Sequence, residues 1–429
     1  MIDTRRLWTA VLLAGVAASI ASAQPAFQRL LEDLQSNSDG TRASAVRALT
    51  TSGYPDAAAA ITPLLGDRAN SVQLEVIDGL LTIALAPALP GANVATPLKS
   101  VKGSIAWSVF DAGPLAVLPR VWPPQLITSL GTMLHDDDSR VRVAAAGALG
   151  VIASPAVSVL APERRDALAA GMAAALRHTD VNTRQAVARA AGAVFAPPAH
   201  GTAPAVIGDA LIAALNDSES PVRAAATEAL GWVREARAEQ ALRDRLAFYG
   251  KGQDAAITLH ALARIAGPAS TRVFQQALGS REVSHRVMAV EGLGRQRQPT
   301  AVPLLTSLVQ AEHDTSVLLA GAFAFYLLGE RGNVERLVAG LVQPDLARQA
   351  RAYLTELGAD IAPELHASLR HHDPSVRRAV AEVLGLSGHP ASEAPLMQVA
   401  RGDSDPAVAE VARQATIRLR ALPNGARTR

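Results

Sequence analysis

Ten histidines are spread along this 429-residue chain. Several fall beside or near aspartate: His135-Asp136, His313-Asp314, His371-His372-Asp373, and His178 two residues before Asp180. Imidazole and carboxylate together could hold a metal ion, but a metal site needs three or four ligands that converge on one point. Adjacent His371 and His372 point in different directions on a helix or turn, and no second cluster lies at a spacing that would bring it to them. They read as polar turn residues, and no metal or other cofactor is expected. Arginine makes a second pattern. Of 41 basic residues only Lys99, Lys102 and Lys251 are lysine, and Arg42, Arg142, Arg184, Arg223, Arg286 and Arg377 recur at matched places. A stripe of arginines could bind the phosphates of a nucleic acid. Carboxylates recur in the same segments, however, and 41 basic against 39 acidic residues is a near balance. The stripe therefore reads as a ladder of ion pairs between repeated turns, with no nucleic-acid partner expected. The third pattern is aromatic. Only 3% of the chain is aromatic, yet Trp107, Phe110 and Trp122 share one proline-bearing stretch, 86–124. Tryptophan has a large apolar body that favours burial or a partner, so these three are the candidate partner contacts.

The elements that carry these residues follow from apolar spacing. Val376, Ala379, Val380, Val383 and Leu384 fall at i, i+3, i+4, i+7 and i+8, one stripe along an α-helix. The template recurs at Val141 and Val222. Weaker copies start at Thr41, Val72, Thr183, Asp254, His285, Val317, Leu346 and Val408, making eleven. From Thr183 onward the starts are 39, 32, 31, 32, 29, 30 and 32 residues apart, a period near 31. An acidic residue stands three before the start in Asp138, Asp180, Glu219, Glu282, Asp314, Asp373 and Asp405, where a helix N-cap belongs. Pro221, Pro374 and Pro406 suit a first helical turn. Gly150, Gly192, Gly231, Gly294 and Gly385 stand nine after it, where glycine lets helices approach closely or stop. A shorter apolar helix precedes each stripe, as in Ile207 to Leu215, Ala301 to Val309 and Ile361 to Leu369.

The unit is thus a helical hairpin that cannot bury its own stripe alone and must stack on its neighbours. The predicted fold is all-α, a right-handed superhelical solenoid of about eleven hairpins. At about 8–10 Å per helix layer it would form a curved rod roughly 100 Å long. The apolar run Val317 to Leu328, with Phe323, Phe325 and Tyr326, is expected to be a buried central helix rather than a greasy groove. The 49% hydrophobic content excludes a disordered chain, and the lack of cysteine removes disulfides, thiolate nucleophiles and zinc ribbons.

Arg5 and Arg6, the apolar run Leu7 to Ile20 and the small residues Ala21-Ser22-Ala23 have the three-part form of a secretory signal, with cleavage expected after Ala23. The apolar run is shorter than the roughly 20 residues of a spanning helix; retention as an uncleaved anchor is the alternative left open, and no membrane span is expected in the mature chain. The expected divisions are 1–23 signal, 24–85 two repeats, 86–124 insertion, 125–421 nine repeats and 422–429 tail. The location is expected to be periplasmic or secreted.

The hairpin period, the stretch Asp373-Pro374-Ser375-Val376-Arg377 through Val383-Leu384-Gly385, and Ser220-Pro221-Val222-Arg223 through Ala229-Leu230-Gly231 resemble HEAT repeats. They look most like the short bacterial type also found in phycobilisome-lyase-like proteins. The resemblance implies a non-enzymatic scaffold that binds a protein or peptide. It extends to an iron enzyme with HEAT-like repeats, deoxyhypusine hydroxylase, whose metal is held by His-Glu pairs. None of the ten histidines here is followed by Glu. The corresponding positions read Leu259-His260-Ala261 and Val290-Glu291-Gly292, which removes that activity. No Gly-x-Ser-x-Gly, phosphate loop or dinucleotide fingerprint occurs. Two other readings stay open: an enzyme or enzyme subunit with a site under the 86–124 insertion, and an envelope glycan-binding structural protein. The oligomeric state is also left open.

Overall fold

The computed structural model describes residues 26–54, 56–84, 122–123, 125–153, 160–196 and 203–421. The signal segment, nearly all of the 86–124 insertion and the 422–429 tail lie outside them. Within them the chain is an all-α solenoid with no strand. Ten of the eleven template starts fall in their own helices, and the eleventh, Leu346, is the N-cap of its helix. These second helices of the hairpins are α1 (Asp39–Thr51), α2 (Asn70–Ala84), α3 (Ser139–Ala148), α4 (Val181–Val194), α5 (Ser220–Trp232), α6 (Gln253–Ile265), α7 (Val283–Arg295), α8 (Thr315–Leu327), α9 (Ala347–Leu357), α10 (Pro374–Ser387) and α11 (Pro406–Ala421). Shorter first helices precede them, among them Ala205–Ala214, Val302–Ala311 and Ala362–Ser368. In α3, α5 and α10 all five template residues are buried. α8 is buried along most of its length, Phe323 included, as its apolar run predicts.

The starts of the helices are capped by the aspartates that the pattern placed there. Asp138, Asp180, Asp314, Asp373 and Asp405 accept from backbone N–H groups of the first turn, Asp314 from Ser316 and Val317 at 2.9 and 3.2 Å. Glu219 and Glu282 occupy the same position without a side-chain cap bond. The extra methylene of glutamate carries its oxygens past the N–H groups that an aspartate reaches.

The recurring glycines are close-approach positions. A Cβ added at Gly192, Gly231, Gly294 or Gly385 would stand 2.6–3.0 Å from Cα or Cβ of Ala229, Ala261, Ala324 or Ala415, respectively. Each partner alanine lies on the next second helix, seven residues after its template start. Second helices therefore pack on one another nearly backbone to backbone, whereas successive first helices touch sparsely. A two-layer stack bends toward its tighter layer, so the second helices form the inner face. The bend is far stronger than a gently curved rod requires. Arg234, just after α5, is ion-paired at 2.8 Å with Glu356 of α9, although four layers at about 8–10 Å would separate them by roughly 30–40 Å in a straight stack. The array curls on itself across α5 to α9.

Candidate functional site

The six recurrent arginines are committed to the fold. In every case Nη1 donates to the carbonyl six residues earlier, at the end of the preceding first helix: Arg42 to Ser36, Arg142 to Asp136, Arg184 to His178, Arg223 to Asp217, Arg286 to Ser280 and Arg377 to His371, at 2.7–3.0 Å. A cation there also faces the negative end of the helix dipole. Five of the six reach onward to a carboxylate in the next repeat: Asp67, Asp180, Asp217, Glu312 and Asp403. Among the described residues Arg223 has no such partner, the next turn reading Gly250-Lys251-Gly252. This is the expected ladder, with one refinement. Except for Asp180, the ladder carboxylate is two residues before the cap, not the cap itself. The hydrogen-bonded guanidinium of Arg377 holds Asp403 below the usual carboxylate range despite its burial, and Arg184 does the same to Asp217.

Two turn histidines have a structural role of the same kind. His178 Nδ1 accepts from the N–H of Asp180 at 2.9 Å, and His371 Nδ1 from that of Asp373 at 3.1 Å. Asp67, Asp136, Asp217 and Asp403 do this in other turns. No group of three or more His, Asp and Glu able to hold a metal occurs among the described residues.

The inner face holds a different assembly, missed by motif reading. It is built from the sixth and tenth positions after the template start, an i, i+4 pair that faces inward on each second helix. α6 contributes His260 and Arg264, α7 Glu291 and Arg295, α5 Trp232, and α9 Glu356 with neighbouring Tyr353. Arg295 is the hub. It donates to both Glu356 oxygens at 2.8 and 2.9 Å, to Glu291 at 3.0 Å and to the Ala263 carbonyl at 3.2 Å, and it lies 5.2 Å from the Phe323 ring. Tyr353 stacks on Phe323 with centroids 4.3 Å apart and donates to Glu291 at 2.5 Å. Burial raises the Tyr353 phenol well above its ordinary range, and the Glu291 charge raises it further. Burial pushes the Glu356 carboxyl up, but Arg295 hydrogen-bonded to it, with Arg264 and Arg234 nearby, leaves it below its ordinary value. Burial, then the adjacent Arg264 charge, pulls His260 down to about 4 and keeps it neutral. Arg264 lies over Trp232, its guanidinium carbon 3.6 Å from the ring centroid.

Of the predicted contacts, Trp122 is half-buried against the hydrophobic core, and Trp107 and Phe110 lie outside the described residues. The inner cluster had a signal in the sequence. His260 with Arg264 and Glu291 with Arg295 are charged or polar residues four apart inside otherwise apolar helices. That spacing marks one wet face pointing into the groove.

Residues 126–155 match the family model of the HEAT repeat, and residues 334–416 match that of HEAT repeats. The chain carries HEAT repeats. Two engineered proteins of known crystal structure are similar to this HEAT array. One is 18% identical with a TM-score of 0.40, covering 92% of this chain and 98% of its own. The other is 22% identical with a TM-score of 0.35, covering 62% and 94%. No curated protein matches. No described helix is long and apolar enough to cross a membrane.

Proposed function

We propose that this chain is an exported, non-enzymatic scaffold that binds a protein or peptide along the inner face of its HEAT array. The observation that carries the reading is the pairing of Trp232, 43% exposed, with Arg264 on that face. Tryptophan and arginine at the centre of a concave surface are the residue types that carry most of the energy in protein interfaces. Export rests on the segment Arg5 to Ala23, which leads to the periplasm or exterior. The 86–124 insertion, with Trp107, Phe110 and Trp122, would add specificity.

An enzyme centred on His260 is the competing reading. It is favoured by a neutral, half-buried imidazole near Glu291 and Glu356. Both carboxylates are already hydrogen-bonded to Arg295, with Tyr353 on Glu291 and Arg234 on Glu356, and no hydrogen bond joins either to His260 among the described residues. Binding is therefore preferred. The test is capture of a partner from an envelope fraction with the chain from Gln24 onward, followed by hydrogen exchange of the complex. Protection centred on α5 to α7 is expected. Protection confined to the first helices, or no captured polypeptide, overturns the reading.

A further inference from the structure

From the unshared charge at this point of the groove we infer that Arg264, lying over Trp232, is the anchor for one carboxylate of an acidic peptide segment that also carries a neighbouring apolar side chain. The inference rests on the scaffold reading and names the chemistry of its partner.

Arg264 stands apart from the other inner-face arginines. Its Nε is buried without a hydrogen-bond partner. Among the described residues its guanidinium forms no hydrogen bond and no ion pair, and its close contact is the Trp232 ring. The carboxylates in reach are taken. Glu356 Oε1 accepts from Arg234 and Arg295, and its Oε2 from Arg295. Glu291 Oε1 accepts from Tyr353 and its Oε2 from Arg295. Three guanidiniums thus face two carboxylates, and His260 stays uncharged. One positive charge is left over in a desolvated place, where an unpaired cation is costly. Burial, followed by the like charge of Arg295, pulls Arg264 down to about 10, the same imbalance seen from the proton's side.

The chemistry of the complement follows from geometry and charge. A guanidinium seated over an aromatic ring keeps its nitrogen edge for a ligand, and that edge matches the two oxygens of a carboxylate. A carboxylate brings one negative charge, equal to the excess. A phosphate near its second ionisation would bring close to two and would face Glu291 and Glu356 across the same small space. The exposed part of Trp232 offers apolar area beside the anchored group, which suits a leucine-like side chain next to the acidic residue.

The test uses the full exported chain with ¹⁵N-labelled arginine. The Arg264 Nε–H resonance is assigned by its disappearance in Arg264→Lys, which keeps the charge. Acetyl-Glu-Leu-amide is titrated at constant ionic strength, against acetyl-Gln-Leu-amide and inorganic phosphate. A saturable shift of that resonance with the Glu dipeptide is expected, at least about tenfold weaker with the Gln dipeptide, a difference of about 1.4 kcal/mol. Equal response to the two dipeptides, tighter binding of phosphate, or no saturable response overturns the anchor. The contrast between dipeptides is read on the unmodified chain, so it stands even where the variant folds poorly. A captured polypeptide whose affinity is unchanged by Arg264→Lys removes the anchor and leaves the scaffold. A responsive resonance in a chain that captures no polypeptide does the reverse.

Discussion

Arg234 and Glu356 are 122 positions apart in the chain and 2.8 Å apart in space. Their ion pair closes the inner face between α5 and α9, and Glu356 is shared with Arg295 of α7. The two partners differ in exposure: the Arg234 side chain is 41% exposed and that of Glu356 17%. Arg234→Ala should therefore cost no more than about 0.2–1 kcal/mol, because Glu356 keeps Arg295. Glu356→Gln should cost roughly 3–5 kcal/mol by leaving Arg295 underpaired in a buried place. Equilibrium denaturation separates the two. Small-angle scattering should show an expanded chain for Glu356→Gln, and an unchanged radius in both variants would mean that the curl is set elsewhere.

Gly294→Ala should destabilise the array by about 1–3 kcal/mol, since the new methyl would stand 2.6 Å from Ala324 and the helices must move apart. Gly66, which has open space around its missing Cβ and no left-handed backbone, is the matched control. Gly66→Ala should melt within a degree or two of the parent chain. Comparable losses in the two variants would contradict the close-approach role.

Arg377→Ala removes the hydrogen bonds to the His371 and His372 carbonyls and to both Asp403 oxygens. A local cost of roughly 1–3 kcal/mol is expected. Hydrogen exchange should quicken in α10 and α11 and remain as before in α1 to α4, because each repeat touches mainly its neighbours. Uniform loss of protection along the whole chain would exclude a solenoid-like response.

His260 makes stability depend on pH. Its folded pKa of about 4 lies below the 6.5 of an unfolded histidine. Between those values the unfolded chain binds a proton that the folded chain refuses, so this contribution is present above pH 6.5 and is lost as pH falls toward 4. The full difference corresponds to about 3 kcal/mol. His260→Gln should flatten the stability profile in that window. An equally steep profile in the variant would place the dependence on other groups.

The helices were readable because burial repeats. One inward stripe every 31 residues needs no tertiary knowledge, and each of its eleven starts begins a real second helix. The arginine ladder was readable for the same reason, although its acid proved to be Asp67, Asp217 or Asp403 rather than the capping residue. A linear pattern cannot distinguish two acids that share one turn. The inner cluster was not read. Its members Trp232, Arg264, Arg295 and Glu356 share a position within the repeat, but the pairing of Arg234 with Glu356 depends on total curvature. That quantity sums small rotations over four interfaces and has no signature in any one of them.

The curl has a consequence for how such a chain can change length. The arginine-to-carboxylate rung recurs at five of the ten junctions between second helices, that of α10 with α11 among them, so a whole hairpin gained at that junction would meet an equivalent rung and could be absorbed. Between α5 and α9 the count is locked. One hairpin more or fewer would carry Glu356 a full layer away from Arg234 and Arg295. The array thus joins a segment free to grow by duplication to a segment whose number of units is fixed by ring closure.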